Sequence, residues 1–257
     1  MKLFLRVCPR RDDFVTTARD SDTLEIRDSI GRLNETPPGL PDVPGGWGQR
    51  EWVIEGHRFQ LVLPAIPDAF LEDASVHAAF DRDEYMPYWA YLWPASLKMV
   101  ATVLRSDWSA GAEVLELGAG IGLVGLAGLA KGLNVTFSDY EPKAVELALF
   151  NARRAGFEHA RGLVLDWRNP PAGKFPYLWG CELLYEDRNH EPLLHLTRQM
   201  LADDGVAWFV DGGRAKAGRF CNLLQQFGFK HKILDEEGHR LPEPRVGRYQ
   251  LIEVRFS

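Results

Sequence analysis

Residues 114–125 read VLELGAGIGLVG, an apolar run that breaks into closely spaced glycines. Such a loop lets backbone approach a nucleotide-like cofactor, and two chemistries compete for it. Gly120-x-Gly122-x-x-Gly125 matches a dinucleotide fingerprint, which would mean hydride transfer. Gly118-x-Gly120-x-Gly122, with Glu116 ahead of it, matches a loop for S-adenosylmethionine, which would mean methyl transfer. In the dinucleotide frame the first glycine directly follows the strand. That glycine is Gly118, and its frame then demands glycine at position 123, where Leu123 stands. The methyl-donor register needs no adjustment, and Gly125 becomes a helix–sheet packing position.

Further acids follow at intervals that suit strand ends. Asp139 closes NVTFSD about 20 residues after the loop, the distance expected for a carboxylate on ribose hydroxyls. Asp166-Trp167 closes GLVLDW, where an acid can accept from an adenine amine while the indole packs on the ring. Glu116 lies close enough to reach the amino-acid end of the donor. Glu182-Leu183-Leu184-Tyr185 follows a further apolar run. Arg214 in DGGR could touch substrate or stand in solvent. His190 and His195 are five apart, poor spacing for a shared metal, and no metal site is expected. Cys181 has no positioned histidine beside it, so a buried strand cysteine is the plainer reading.

These residues need a scaffold. From residue 94 apolar runs of strand length alternate with amphipathic helices: PASLKMVATVLRS, AEVLELG, IGLVGLAGLAKG, NVTFSD, EPKAVELALFNARRAG, GLVLDW, YLWGCELLY, EPLLHLTRQML, GVAWFVDG and RAKAGRFCNLLQQFG. Pro94 and Pro142 sit where helices start, and Gly156 just past a helix end. Alternation of this kind implies right-handed crossovers and a parallel sheet covered on both faces. FKHKILDE and GRYQLIEVRFS lack a helix between them and predict a terminal antiparallel hairpin. The expected fold is therefore α/β, a Rossmann-like, mostly parallel sheet of seven strands with helices on both faces.

Upstream the pattern differs. Residues 1–85 are expected to form an N-terminal extension, and 86–257 the cofactor-binding domain. A short helix or two is expected over 11–32, followed by a Pro/Gly-rich connector from Asn34 to Gly48. Alternating Trp52, Ile54, Phe59, Leu61 and Leu63 predict a hairpin around a Glu55-Gly56 turn.

The 257 residues carry 46% hydrophobic and 26% charged side chains, with a formal net charge of −6. An acidic balance disfavours a broad phosphate-binding surface, so no nucleic acid is expected. Cys8, Cys181 and Cys221 are odd in number and form no CxxC, pointing to a reducing compartment. No apolar run reaches 18 residues, so no membrane span is expected, and a cytoplasmic setting follows.

Taken with PYWAYLWPASLKMV (87–100), the motifs LELGAGIGLVGLAG, FSDYEPKAVELALFNA, VLDW, CELLYED and VDGGRAKAGRF resemble one branch of the class I S-adenosylmethionine-dependent methyltransferases. That branch includes the electron-transfer-flavoprotein β-subunit lysine methyltransferase and nicotinamide N-methyltransferase-like sequences. The resemblance covers about residues 50–257. It implies an N-methyltransferase acting on a protein lysine, or on a small-molecule amine or pyridine. It further implies that Trp93 lines the donor pocket, with Tyr88, Trp89 and Tyr91 at its mouth or in the core below. Glu182 and Tyr185 match the branch's acid-x-x-tyrosine motif, with glutamate where aspartate is usual. In that role Glu182 is expected to capture and orient the incoming amine.

Overall fold

A computed structural model describes residues 24–26 and 31–257. The described residues form two sheets. The smaller is built on β3 (Trp47–Ile54) and β4 (His57–Pro64), paired antiparallel from Trp47↔Pro64 to Ile54↔His57. Glu55 and Gly56 turn the chain between them with φ of 49° and 75°, the positive values a two-residue hairpin turn requires. Trp52, Ile54, Phe59, Leu61 and Leu63 are buried, as their alternation predicts. On the far edge of β3 lie β1 (Leu24–Ile26) and β2 (Gly31–Arg32), both antiparallel to it. These short strands replace the helix expected there; the rest of 11–32 lies outside the described residues. They are edge pieces held by pairing to β3, which no local periodicity encodes. The Asn34–Gly48 connector is loop up to Gly46.

The larger sheet takes the order β11 (Arg240–Leu241), β10 (Phe229–Leu234), β12 (Gln250–Phe256), β9 (Leu201–Asp211), β8 (Phe175–Cys181), β5 (Glu113–Leu117), β6 (Asn134–Asp139), β7 (Arg161–Val164). Its parallel strands are β5, β6, β7, β8 and β9. β12 runs antiparallel between β9 and β10, the expected closing hairpin. The two-residue β11 extends the edge beyond the seven strands expected. Five helices accompany the strands: α2 (Pro94–Arg105), α3 (Leu123–Ala130), α4 (Pro142–Arg154), α5 (His190–Met200) and α6 (Ala217–Gln226). Ahead of them α1 (Ala74–Asp83), capped by Asp73 through Ser75 N–H at 2.8 Å, was not signalled by the sequence pattern.

The two sheets share a core. Trp52, Leu61 and Val62 belong to the same hydrophobic cluster as Val124, Phe137 and Ala148. Asn151 on α4 fastens the junction. Its side chain accepts from Val62 N–H at 2.9 Å and donates to Val62 C=O at 2.9 Å and Ile121 C=O at 3.0 Å. One buried amide thereby completes the edge of β4 and holds the glycine loop. In the main sheet the chain leaves β5 for β6 and β7, then returns to β8 on the other side. The carboxyl ends of β5 and β8 thus flank a topological switch point, where such sheets open a crevice.

Candidate active site

A cleft of about 370 Å³ occupies that crevice. Its floor is the glycine loop. Gly118 and Gly120 hold φ of 63° and 52° and line the cleft; a Cβ at Gly118 would come within 2.6 Å of Leu183 Cδ2, and one at Gly120 within 3.3 Å of Trp89 C=O. The bare backbone is what leaves the cradle open. Gly122 instead faces Ala148 Cβ, 2.8 Å from where its own Cβ would stand, and caps α3; its part is to shape the loop rather than line it. Gly125 packs against Phe137 and the Glu116 carboxylate, in keeping with its reading as a packing position.

Glu116, Asp139 and Asp166 also line the cleft. Glu116 in β5 is 4% exposed, and its Oε2 has no hydrogen-bond partner among the described residues. Burial pushes its carboxyl up to about 8, against the opposing pull of Gly125 N–H. Asp139 at the end of β6 accepts from Gly120 N–H and Glu141 N–H, both at 3.0 Å, which ties it to the loop. Desolvation nevertheless raises it to about 6. Asp166 lies two residues beyond β7, and Arg168 grips it through Nε at 2.8 Å and Nη2 at 2.8 Å. That contact holds its carboxyl below the usual range. Trp167 lines the cleft beside it, with an Nε1 that is buried and unpartnered.

Aromatic rings also line the cleft. Tyr88 meets Tyr185 edge-on at 4.9 Å and Trp93 at 5.9 Å between ring centroids. Trp93 caps α2 and donates from Nε1 to Tyr88 C=O at 3.1 Å, so this helix entry fixes both rings. Trp93, Tyr88 and Tyr185 thus form one aromatic group in the cleft lining. Trp89 and Tyr91 are buried and also line it. A roof over the cleft comes from 83–88: Tyr85 Oη donates to Glu141 Oε2 at 2.6 Å, and Arg188 Nη1 to Glu84 Oε2 at 2.8 Å.

Glu182 departs from expectation. β8 ends at Cys181, and Glu182 turns out of the strand with φ of 59° while its N–H still donates to Val210 C=O at 2.7 Å. The carboxylate is buried and receives Arg214 Nε at 2.9 Å. Asp211 Oδ2 stands 3.9 Å from the same nitrogen, and Asp211 Oδ1 accepts the N–H of Gly213 and Arg214. The Arg214 guanidinium lies 5.3 Å from the Trp93 ring centroid and 5.9 Å from that of Tyr185. Burial raises Glu182, and Arg214 is the main force lowering it. A carboxylate already matched by a guanidinium has little field left for a second cation, so its amine-capturing role is not what the geometry supports. Arg214, which the sequence left open between substrate contact and solvent, is paired with Glu182 instead. Its signal was position alone: it follows β9 by three residues, just beyond a strand end beside the switch point.

Cys181 lines the cleft as a half-buried thiol that desolvation raises well above its ordinary value, unsuited to nucleophilic work. His190 is buried and lowered by desolvation; it shares Leu184 C=O at 3.2 Å and packs on Phe220, a core role.

This geometry has relatives. A family model described as lysine methyltransferase matches residues 88–226, over half of the chain and every one of the cleft residues just named from Tyr88 to Arg214. The chain belongs to the lysine methyltransferase family. The protein N-lysine methyltransferase METTL21A of Danio rerio is 29% identical over 161 residues, covering 56% of this chain and 73% of that protein. Among solved structures, a TehB-like S-adenosylmethionine-dependent methyltransferase from Corynebacterium glutamicum aligns with a TM-score of 0.51 at 19% identity, over 62% of this chain and 88% of its own. Magnesium protoporphyrin IX methyltransferase from Synechocystis, solved with bound S-adenosylmethionine, gives a TM-score of 0.51 at 17% identity, over 75% and 98%. At such identities these two speak for the fold. The family match makes this protein an S-adenosylmethionine-dependent methyltransferase. The residues present suit that donor: an orphaned buried Glu116 oxygen for an ammonium, an unpartnered indole N–H at Trp167, and a loop whose glycines leave room for the ligand.

Proposed function

We propose that this methyltransferase acts on the ε-amine of a lysine in a protein acceptor, which reaches the cleft at its aromatic end. The observation that carries this reading is a single cleft lined by two kinds of group. Acids and bare glycine backbone share it with the rings of Tyr88, Trp93 and Tyr185. A flexible side chain with an apolar stem suits a ring-lined entry. The family match and the METTL21A likeness support the same acceptor class.

When bound, S-adenosylmethionine supplies a methyl group on a positively charged sulfur, a good leaving group. The chain's own task is alignment and desolvation. Glu116 is suited to hold the donor's ammonium, Asp139 its ribose hydroxyls, and Asp166 with Trp167 its adenine. Backbone at Gly118 and Gly120 allows close approach. Tyr88, Trp93 and Tyr185 strip water from the amine, and in such surroundings the neutral form is favoured over the ammonium. Glu182 acts through Arg214 as a positioning residue.

The test is transfer of a labelled methyl group from S-adenosylmethionine into a native proteome and, separately, into its low-mass filtrate. Label on lysine in the protein fraction is the expected result. Label confined to small amines of the filtrate would replace the acceptor with a small molecule.

A further inference from the structure

A second cavity, of about 490 Å³, lies away from the cofactor cleft, and none of its described lining residues belongs to that cleft. Its walls come from the 106–112 loop that leads into β5, from the start of β8, from β9 and from the last residues of β12. It therefore sits toward the amino ends of the parallel strands, whereas the active site occupies their carboxyl ends.

Three large rings meet in this cavity. Trp108 stands edge-on to Tyr177 at 5.0 Å and to Trp208 at 4.9 Å between ring centroids, and its Nε1 donates to Val103 C=O at 2.9 Å. All three are only half-buried, so apolar ring surface stays open to the cavity. Carboxylates complete the wall. Glu253 is already matched, by Lys232 Nζ at 3.1 Å and Arg255 Nε at 3.2 Å, which also takes up the charge of the basic residue lining the cavity. Asp107 and Asp204 are exposed and have no ion pair or side-chain hydrogen bond among the described residues. Two negative charges are thus left over beside three rings.

Rings and unmatched carboxylates together select a cation that can lie against an aromatic surface and fork to an acid at the same time. A guanidinium does both, being planar, weakly hydrated and always charged, while an ammonium holds its water more strongly. Its apolar stem suits the Pro176 and Val206 side of the wall. Charge also names the source. Free arginine would carry its own carboxylate toward three acids, whereas an arginine within a chain brings no such anion. We propose that this cavity is a docking site for an arginine side chain of a protein partner, held by Asp107 and Asp204 against Trp108, Tyr177 and Trp208. The site is separate from methyl transfer and does not depend on which acceptor the cleft takes.

The test follows the tryptophan indole N–H resonances of the nitrogen-15-labelled full chain during titration with a Gly-Arg-Gly peptide capped at both ends. Shifts confined to Trp108 and Trp208, assigned with Trp108→Phe and Trp208→Phe, are expected. A peptide with citrulline, which keeps the shape and loses the charge, should bind about tenfold more weakly or worse. The lysine peptide and free arginine should also bind more weakly. Asp107→Asn/Asp204→Asn should lose the response to the same degree as the citrulline peptide. Both aspartates are exposed, so this variant should keep the melting temperature and the S-adenosylhomocysteine affinity of wild type, which separates lost docking from a lost fold. No shift at Trp108 and Trp208 in wild type, an equal response to the citrulline peptide, or a folded double variant that binds like wild type would overturn the proposal. A lysine peptide as tight as the arginine peptide would overturn the guanidinium assignment, and free arginine as tight would overturn the protein source.

Discussion

At the scale of single residues, the donor end depends on carboxyls that burial holds partly protonated. Glu116 at about 8 and Asp139 at about 6 both stand above their ordinary values. A ligand that brings an ammonium to Glu116 favours its ionised form, so binding must release protons. The affinity for S-adenosylhomocysteine should therefore strengthen as pH rises from 6 to 8.5. Calorimetry in buffers of differing ionisation enthalpy should show that release. The same shift acts on stability. The raised Glu116 penalises the folded state as pH climbs from the unfolded value of 4.5 through about 8. Glu116→Gln should then stabilise the cofactor-free protein by roughly 2–4 kcal/mol at pH 8 and by far less at pH 4.5, read as melting temperature. The types and spacing of Glu116, Asp139 and Asp166 were legible in the sequence because strand ends place acids at regular intervals. The Glu182–Arg214 pair was not. It joins residues 32 apart through a left-handed turn at Glu182, and nothing in a local pattern announces that.

At the scale of elements, the site depends on where strands stop. β8 ends at Cys181, one residue before Glu182, and β9 at Asp211, three before Arg214, so adjacent parallel strands deliver the two charges to the same end of the sheet. The alternation of strands and helices, the hairpin at Glu55-Gly56 and the closing antiparallel pair were all readable from period and punctuation. β1, β2, β11 and α1 were not, because edge strands of two or three residues and a weakly amphipathic helix are fixed by what they pack on. Asn151 is the element-level test. Asn151→Ala leaves Val62 N–H, Val62 C=O and Ile121 C=O without their partner in a buried junction. A loss of about 2–4 kcal/mol is expected in denaturant unfolding. S-adenosylhomocysteine binding should weaken as well, since Ile121 belongs to the glycine loop. Full stability with unchanged affinity would mean the amide is not the clip described.

At the scale of the whole molecule, the small sheet and the cofactor-binding sheet fold around shared apolar contacts. Trp52, fully buried, lies in one cluster with Val100, Phe137 and Ala148 of the larger sheet and its helices. Trp52→Ala should cost about 3–5 kcal/mol, and a fragment of 86–257 alone should lack a cooperative thermal transition. The proposed division of the cleft between donor and acceptor is the centre of the account. Calorimetric titration of S-adenosylhomocysteine into wild type, Asp139→Ala and Arg214→Gln tests it most directly. At least a tenfold loss of affinity in Asp139→Ala, with Arg214→Gln within about threefold of wild type, is the predicted result. Equal losses in both variants would contradict it.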